Sequence, residues 1–481
     1  MRKLSVLSVA SEIYPLVKTG GLADVAGALP LALAAEDIAV ATLVPGYKPV
    51  LDGIKGAAPV GRFKELFGGP ARILRGNAGA LDIFALDAPH LYVRPGGPYL
   101  GPDGFDHPDN VLRFAGLAKA GAALAQGLVE GFSPELVHAH DWQAGLTAAY
   151  LRFSGKRSPA TLLTIHNLAF QGLFPAETLT HIELPAASFV EDGLEYYGQV
   201  SFLKAGVNYS DAITTVSPTY AHEILGPDQG MGFEGLLRAR GDALSGIRNG
   251  IDTDVWDPAT DRLIAKTYSS RTLTARAENT RALRGKLGLP TIDGALLLGV
   301  ISRLSNQKGL DLLLQCAPLF EPLNLQLAML GSGDPDLVAG FKAAAEAAPD
   351  RIGVHFGYAE ELAHLIQAGA DVLVVPSRFE PCGLTQLCAL RYGAAPLTSR
   401  VGGLNDTIID ANDMALAAQC ATGLHFSPVT AEALAAALRK AAALFKDKTL
   451  WRKLQLNGMK TDVSWTQPAK TYANLYRTLA E

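Results

Sequence analysis

The sequence predicts an α/β fold built from two doubly wound, Rossmann-like domains. Three observations carry that prediction. The chain has 481 residues, long for a single domain of ordinary size. Short runs rich in Val, Ile and Leu, without polar alternation, recur along it, as in parallel strands buried on both faces. Ala/Leu-rich helical patterns separate those runs, and the whole alternation starts afresh past the midpoint.

In the first half, "KLSVLSVA", "IAVATLVP", "LDIFALDA", "ELVHAH", "ATLLTIHN" and "DAITTVSP" read as strands. In the second half, "LLLGVISR", "LQLAMLGSG", "RIGVHFGY", "DVLVVPSR" and "AAPLTSR" do the same. Residues 111–130 and 431–447 show helical spacing of their apolar residues. A polar, charged stretch over 257–289 precedes the fresh strand near Leu296, so the first domain is expected over 1–245 and the second over 246–460. Ligands bind at the carboxyl ends of parallel strands, which makes a cleft between two such domains the expected site.

The bulk numbers exclude some partners. With 42 Lys+Arg against 47 Asp+Glu the protein is mildly acidic, which argues against nucleic acid or an anionic membrane. No run reaches the ~20 apolar residues of a membrane span. "MRKLSVLSVASEIYP" has too short an apolar stretch for a signal peptide and reads as a first buried strand. Cys316, Cys382, Cys388 and Cys420 fit no disulfide or metal spacing, so a reducing, cytoplasmic setting is expected.

The polar residues worth weighing lie where predicted strands end. "KTGGLADVAGALP" (18–30) joins Lys18 and the pair Gly20–Gly21 to a helical pattern. A glycine-rich turn opening a helix presents free N–H groups and a positive dipole end to an anion. An ordinary loop with a solvated lysine accounts for it equally well. In "SRLSNQKGLDLL" (302–313), Arg303 and Lys308 flank one strand end and could clamp a diphosphate. Both are expected on exposed loops, so removing either should leave stability nearly unchanged.

"PSRFEPCGLTQLCAL" (376–390) sets Glu380 beside a helix opened by Gly383, Leu384 and Thr385. That carboxylate could cap the helix or hold sugar hydroxyls, with the amides of 384–385 meeting a phosphate. Cys382 has no partner base nearby and reads as a packing residue. "HAHDWQAG" (138–145) and "TIHNLAFQG" (164–172) place His138, His140, Asp141, His166 and Asn167 at strand ends. The three histidines could be imagined around zinc, but no paired ligand motif accompanies them, so no metal is expected. "RNGIDTDVWDP" (248–258) reads as an Asn-Gly turn at the domain boundary.

Together "KTGGLADV", "HAHDW", "TIHNLAFQG", "NGIDTDVWDP", "SRLSNQKG", "RFEPCGLTQ" and "VGGLNDT" resemble the bacterial glycogen synthases and plant starch synthases, in that family's order, from residue 4 to about residue 468. The resemblance implies a GT-B glycosyltransferase of two Rossmann-like domains facing a deep interdomain cleft. It implies transfer of glucose from ADP-glucose to the non-reducing end of an α-1,4-glucan such as glycogen, with the anomeric configuration retained. The first domain would receive the glucan, the second would hold most of the nucleotide, and a helix in 461–481 would cross back to the first.

Carried over residue by residue, Lys18, Gly20 and Gly21 would face the diphosphate from one side. Arg303, Lys308 and the backbone of Leu384 and Thr385, opened by Gly383, would grip it from the other. Glu380 would bond the glucose hydroxyls and His166 would sit near the anomeric carbon. Glu12, Asp141 and Asn167 would line the sugar and acceptor side, Tyr99 would lie near the nucleotide, and Asn249 at the hinge. No cofactor is called for, because cationic side chains and helix ends can stabilise the departing ADP. With no evident nucleophile, front-face attack is the favoured route to retention.

One departure is "ALAAEDIAV", where Glu36-Asp37 replaces the family's glycine-containing turn. The lack of a transit peptide favours the bacterial over the plastid branch. Two other readings remain: a GT-B enzyme using UDP-glucose or another acceptor, and a catalytically silent glucan- or sugar-nucleotide-binding protein.

Overall fold

The computed structural model describes residues 3–481. Met1 and Arg2, the start of the stretch weighed above as a signal peptide, lie outside them. The chain divides into two units, residues 3–249 with 465–481, and residues 250–464.

The first unit is built on a nine-stranded sheet. Its strands run, edge to edge, Leu244–Gly246, Ala212–Thr215, Ala160–Ile165, Leu136–His140, Leu4–Val9, Ile38–Pro45, Leu81–Asp87, Ala71–Ala78 and Lys55–Phe63. The six strands read from the sequence are all present here and pair in parallel. Their Val, Leu and Ile side chains are buried on both faces, the reason those runs lack polar alternation. Leu4–Val9 lies between Ile38–Pro45 and Leu136–His140. The chain leaves it toward one edge and later returns on its other side, so the strand order reverses between Leu4–Val9 and Leu136–His140. Crevices form at the carboxyl ends of strands at such a reversal.

The last helix, Thr466–Ala480, belongs to this unit. Its Ala469, Tyr472, Ala473 and Tyr476 pack with Val25 and Leu29 of the helix Gly21–Leu33 and with Val6 of the central strand. The helix read over 111–130 ends earlier, spanning Asn110–Ala125. Asp37 takes up the role of the missing glycine by adopting a left-handed conformation at φ 58°, which Asp tolerates better than most residues.

The second unit holds a six-stranded, wholly parallel sheet. Its order is Ile352–Phe356, Leu325–Gly333, Leu296–Leu304, Val372–Val375, Ala395–Ser399, Leu424–Phe426. Numbered along the chain this is 3-2-1-4-5-6, the Rossmann order. The reversal therefore falls between Leu296–Leu304 and Val372–Val375. Asn249-Gly250 is not a turn as read from the sequence; the chain runs straight on to a parallel bridge between Ile251 and Ser464.

Candidate functional site

In each unit the residues singled out from the sequence gather at the strand-order reversal. In the first unit, the loop after Leu4–Val9 is organised by Glu12. This carboxylate is buried, 2 % exposed. It accepts hydrogen bonds from the Thr19 hydroxyl at 2.5 Å, the Gly20 amide at 3.3 Å, the Thr19 amide and the Tyr99 hydroxyl. Tyr99 also shares a 2.7 Å hydrogen bond with Ser11. Burial next to the Glu12 charge raises the Tyr99 phenol well above its ordinary pKa, so it stays protonated. Glu12 thus moulds the loop that carries Lys18 and the opening of the helix Gly21–Leu33.

Gly20 is extended, φ −153°, a conformation open to any residue. A Cβ there would meet nothing within 4 Å, so neither conformation nor packing requires a glycine, and no side chain caps the helix N-terminus. Lys18 reaches Asp24 of the first turn at 2.8 Å while staying partly exposed.

The strand Leu136–His140, next to this loop's strand, and Ala160–Ile165, one strand further out, end with His140, Asp141, His166 and Asn167. Asp141 adopts φ 56°, strained for a non-glycine residue and the kind of outlier that clusters at functional sites. The turn aims its carboxylate at the next strand end, where Oδ1 accepts the His166 amide at 2.6 Å and the Asn167 amide at 3.4 Å. Burial pushes the Asp141 carboxyl up to about 7, against the pull of those two amides, and the Glu12 charge adds to the rise. Asn167 caps its own loop by accepting from the Ala169 amide at 3.0 Å.

The His166 ring meets His140, Nε2 to Nδ1, at 2.9 Å. Burial pulls the His140 imidazole down to about 3 and His166 well below its usual value, so both are neutral near pH 7. His138 and His140 share a strand face, as their spacing predicts, with ring centroids 4.0 Å apart. Both nitrogens of His138 are occupied by hydroxyls, of Tyr476 at 2.7 Å and of Thr164 at 2.6 Å.

In the second unit Arg303 is the penultimate residue of the strand Leu296–Leu304, exposed, and among the described residues its guanidinium has no partner. Lys308 ends the single turn Asn306–Lys308 and reaches Glu380 Oε2 at 2.6 Å. Ser377 donates to the same oxygen at 3.0 Å. The two side chains are 19 % and 8 % exposed, so Lys308 is not the free surface lysine its sequence position suggests. Glu380 is not a helix cap either. The N-cap of the helix Thr385–Tyr392 is Leu384, with no side-chain bond, so the amides there stay open. Gly383 turns the chain into this helix at φ 70°, and the buried Gln386 holds the turn by donating to the Cys382 and Gly383 carbonyls. Cys382 is buried against Gly403.

Two loops meet to make this arrangement, and sequence reasoning missed what joins them. Arg378 grips Asp311 with two 2.7 Å hydrogen bonds and donates to the Asn306 carbonyl at 2.8 Å. Gly309 permits the approach: at φ 61°, a Cβ would lie 2.0 Å from the Pro376 carbonyl oxygen. A basic residue beside Phe379-Glu380 and a glycine after Lys308 were the available signals. Asn249 closes the first unit, buried, with its Oδ1 unbonded among the described residues.

Residues 5–239 match the starch synthase catalytic domain family, and residues 288–454 the glycosyl transferases group 1 family. The glycogen synthase of Rhodopseudomonas palustris (strain BisB18) is 61 % identical over 479 residues, covering 100 % of this chain and 98 % of the relative. That decides the family. The chain belongs to the glycogen and starch synthases. The glycogen synthase of Methylocella silvestris is 60 % identical over 479 residues, covering 100 % of this chain and 99 % of that one. Among solved structures, the catalytic domain of starch synthase IV from Arabidopsis thaliana, bound to ADP and acarbose, superposes with a TM-score of 0.91 at 30 % identity, covering 99 % of each chain. Membership makes this chain a glycosyltransferase of the GT-B fold, as the motifs imply. Among the described residues no helix is long and apolar enough to cross a membrane.

Proposed function

We propose that this chain transfers glucose from ADP-glucose to the non-reducing end of an α-1,4-glucan with retention of configuration, releasing ADP, in the cytoplasm. The observation that carries the reading is the Lys308–Glu380–Ser377 cluster at the second unit's strand-order reversal, beside open helix amides and the unpartnered Arg303. Oε2 of Glu380 is taken, which leaves Oε1 for a sugar hydroxyl. Arg303, Lys308 and the Leu384 and Thr385 amides face the diphosphate, where negative charge grows as the bond to C1 breaks.

On the acceptor side, Lys18 and the open start of Gly21–Leu33 add positive potential. His166, neutral and held by Asp141 through its amide, positions the sugar without contributing a charge. The glucan 4-hydroxyl attacks C1 from the face that ADP leaves. The new C1–O4 bond forms as the C1–phosphate oxygen bond breaks, and the hydroxyl proton passes to the departing phosphate. Both oxygens of Glu12 are engaged in holding its loop, and Asp141, its Oδ1 engaged by two amides, has its carboxyl pushed up to about 7 by burial, so neither offers the free carboxylate of a double displacement.

The alternative donor is UDP-glucose. Purified protein given glycogen and labelled ADP-glucose or UDP-glucose should incorporate label chiefly from the ADP donor. Equal or greater incorporation from UDP-glucose would overturn the donor assignment, and no incorporation from either would overturn the reaction.

A further inference from the structure

The sequence draws attention to three histidines, and the reading above uses one. The other two form a buried column behind it. His138 is 1 % and His140 2 % exposed. Tyr476, on the last helix, holds His138 Nδ1, while Thr164 holds its Nε2 and is itself bonded to Thr214 at 2.6 Å. His138 can therefore neither rotate nor recede without breaking hydrogen bonds at both nitrogens. Its ring lies against His140, which is left with one direction in which to present Nδ1, toward His166 Nε2 at 2.9 Å.

A hydrogen bond between two neutral imidazoles contains a single proton. The bond therefore couples the two rings, so that the tautomer of His166 follows from whether His140 Nδ1 donates or accepts. If Nε2 accepts, Nδ1 must be an N–H donor; if Nε2 donates, Nδ1 must be an acceptor. Among the described residues nothing bonds Nδ1 of His166, so this is the nitrogen left for a ligand. The backbone of His166 is fixed separately by Asp141.

We propose that His140 is a positioning residue that locks the ring orientation and tautomer of His166, and so sets whether His166 offers the sugar a donor or an acceptor. This rests on the reading of His166 as the residue facing the sugar. It departs from a purely structural role for His140 in a way substitutions can separate. His140→Phe keeps the ring against His138 and loses the hydrogen bond. His140→Asn loses the ring but keeps a polar atom near the place of Nδ1.

A positioning role predicts that His140→Phe lowers kcat for glucosyl transfer by about 10–100-fold, the usual cost of losing such an orienting partner, with the donor KM little changed. His140→Asn should recover most of that loss. A packing role predicts the reverse order, because Asn leaves a cavity where Phe does not. The second readout is the ¹⁵N imidazole spectrum of His166 in histidine-labelled protein at neutral pH. It should show one tautomer in the wild type and in His140→Asn, and a mixture in His140→Phe. A single unchanged tautomer in His140→Phe, or turnover lower in Asn than in Phe, overturns the proposal. If the wild type transfers no glucose, the functional reading fails alone, and the spectrum still decides the positioning role.

Discussion

Lys308 and Arg303 make similar sequence-level claims on the diphosphate, yet their surroundings predict different behaviour on removal. Lys308→Ala strands the Glu380 carboxylate, 8 % exposed, with Ser377 as its remaining partner on Oε2. Removing one member of a fully buried pair costs about 3–5 kcal/mol. Residual access to water at this pair reduces that to ~1–3 kcal/mol, and for a unit of this size each kcal/mol lowers Tm by about 2–4 °C. Arg303→Ala breaks no contact within the protein, so its Tm should stay within the small range of an ordinary surface change, about 0.5 kcal/mol. Both variants should nonetheless lose roughly 10²–10³-fold in kcat/KM, if each contact supplies ~3–4 kcal/mol at the transition state. Calorimetry beside initial-rate measurements separates the two effects. An unchanged Tm in Lys308→Ala would refute the stabilising pair, and near-wild-type kinetics in either variant would remove that residue from the clamp.

Glu380→Gln keeps shape and weakens charge-assisted hydrogen bonding, so turnover should fall about 10–100-fold with far less loss of stability than a cavity would bring; normal kcat would deny it a role with the sugar. Asp141→Asn keeps an acceptor for the His166 and Asn167 amides and tolerates the positive φ. With a folded pKa near 7 against 3.8 unfolded, the wild-type carboxyl is protonated in the folded state and ionised in the unfolded state between those values, so stability should fall as pH rises from 4 to 7, by on the order of 4 kcal/mol. The Asn variant should show a flatter denaturation midpoint across that window, and an unchanged slope would count against the shift. Gly309→Ala must relieve both a left-handed φ and a 2.0 Å clash with Pro376, so a loss of several kcal/mol and of donor binding is expected by denaturant titration. Dialysis against excess chelator should leave transfer intact; loss that Mg²⁺ or Mn²⁺ restores would contradict the metal-free reading.

The buried strands were legible because parallel strands covered on both faces need unbroken apolar runs. The antiparallel pair Lys55–Phe63 and Ala71–Ala78 was not. Lys55–Phe63 is an exposed edge strand containing Gly56, Pro59 and Gly61, and nothing in "KGAAPVGRF" alternates. The candidate residues were legible because polar groups at the ends of apolar runs stand out. Their partners were not, since the Glu12–Thr19, Arg378–Asp311 and Lys308–Glu380 contacts depend on which loops the sheets bring together. Glu12 and Asp141, expected to line the sugar, have their carboxylates engaged in shaping the loops that carry Lys18 and His166.

Retaining transfer from ADP-glucose to a glucan end can be watched in one reaction by ¹H NMR with a short maltooligosaccharide as acceptor. The α-anomeric signal of a new internal 1,4-linkage should rise in step with released ADP, with no β-linked signal. A β-anomeric product, or free glucose appearing in place of a longer chain, would contradict it.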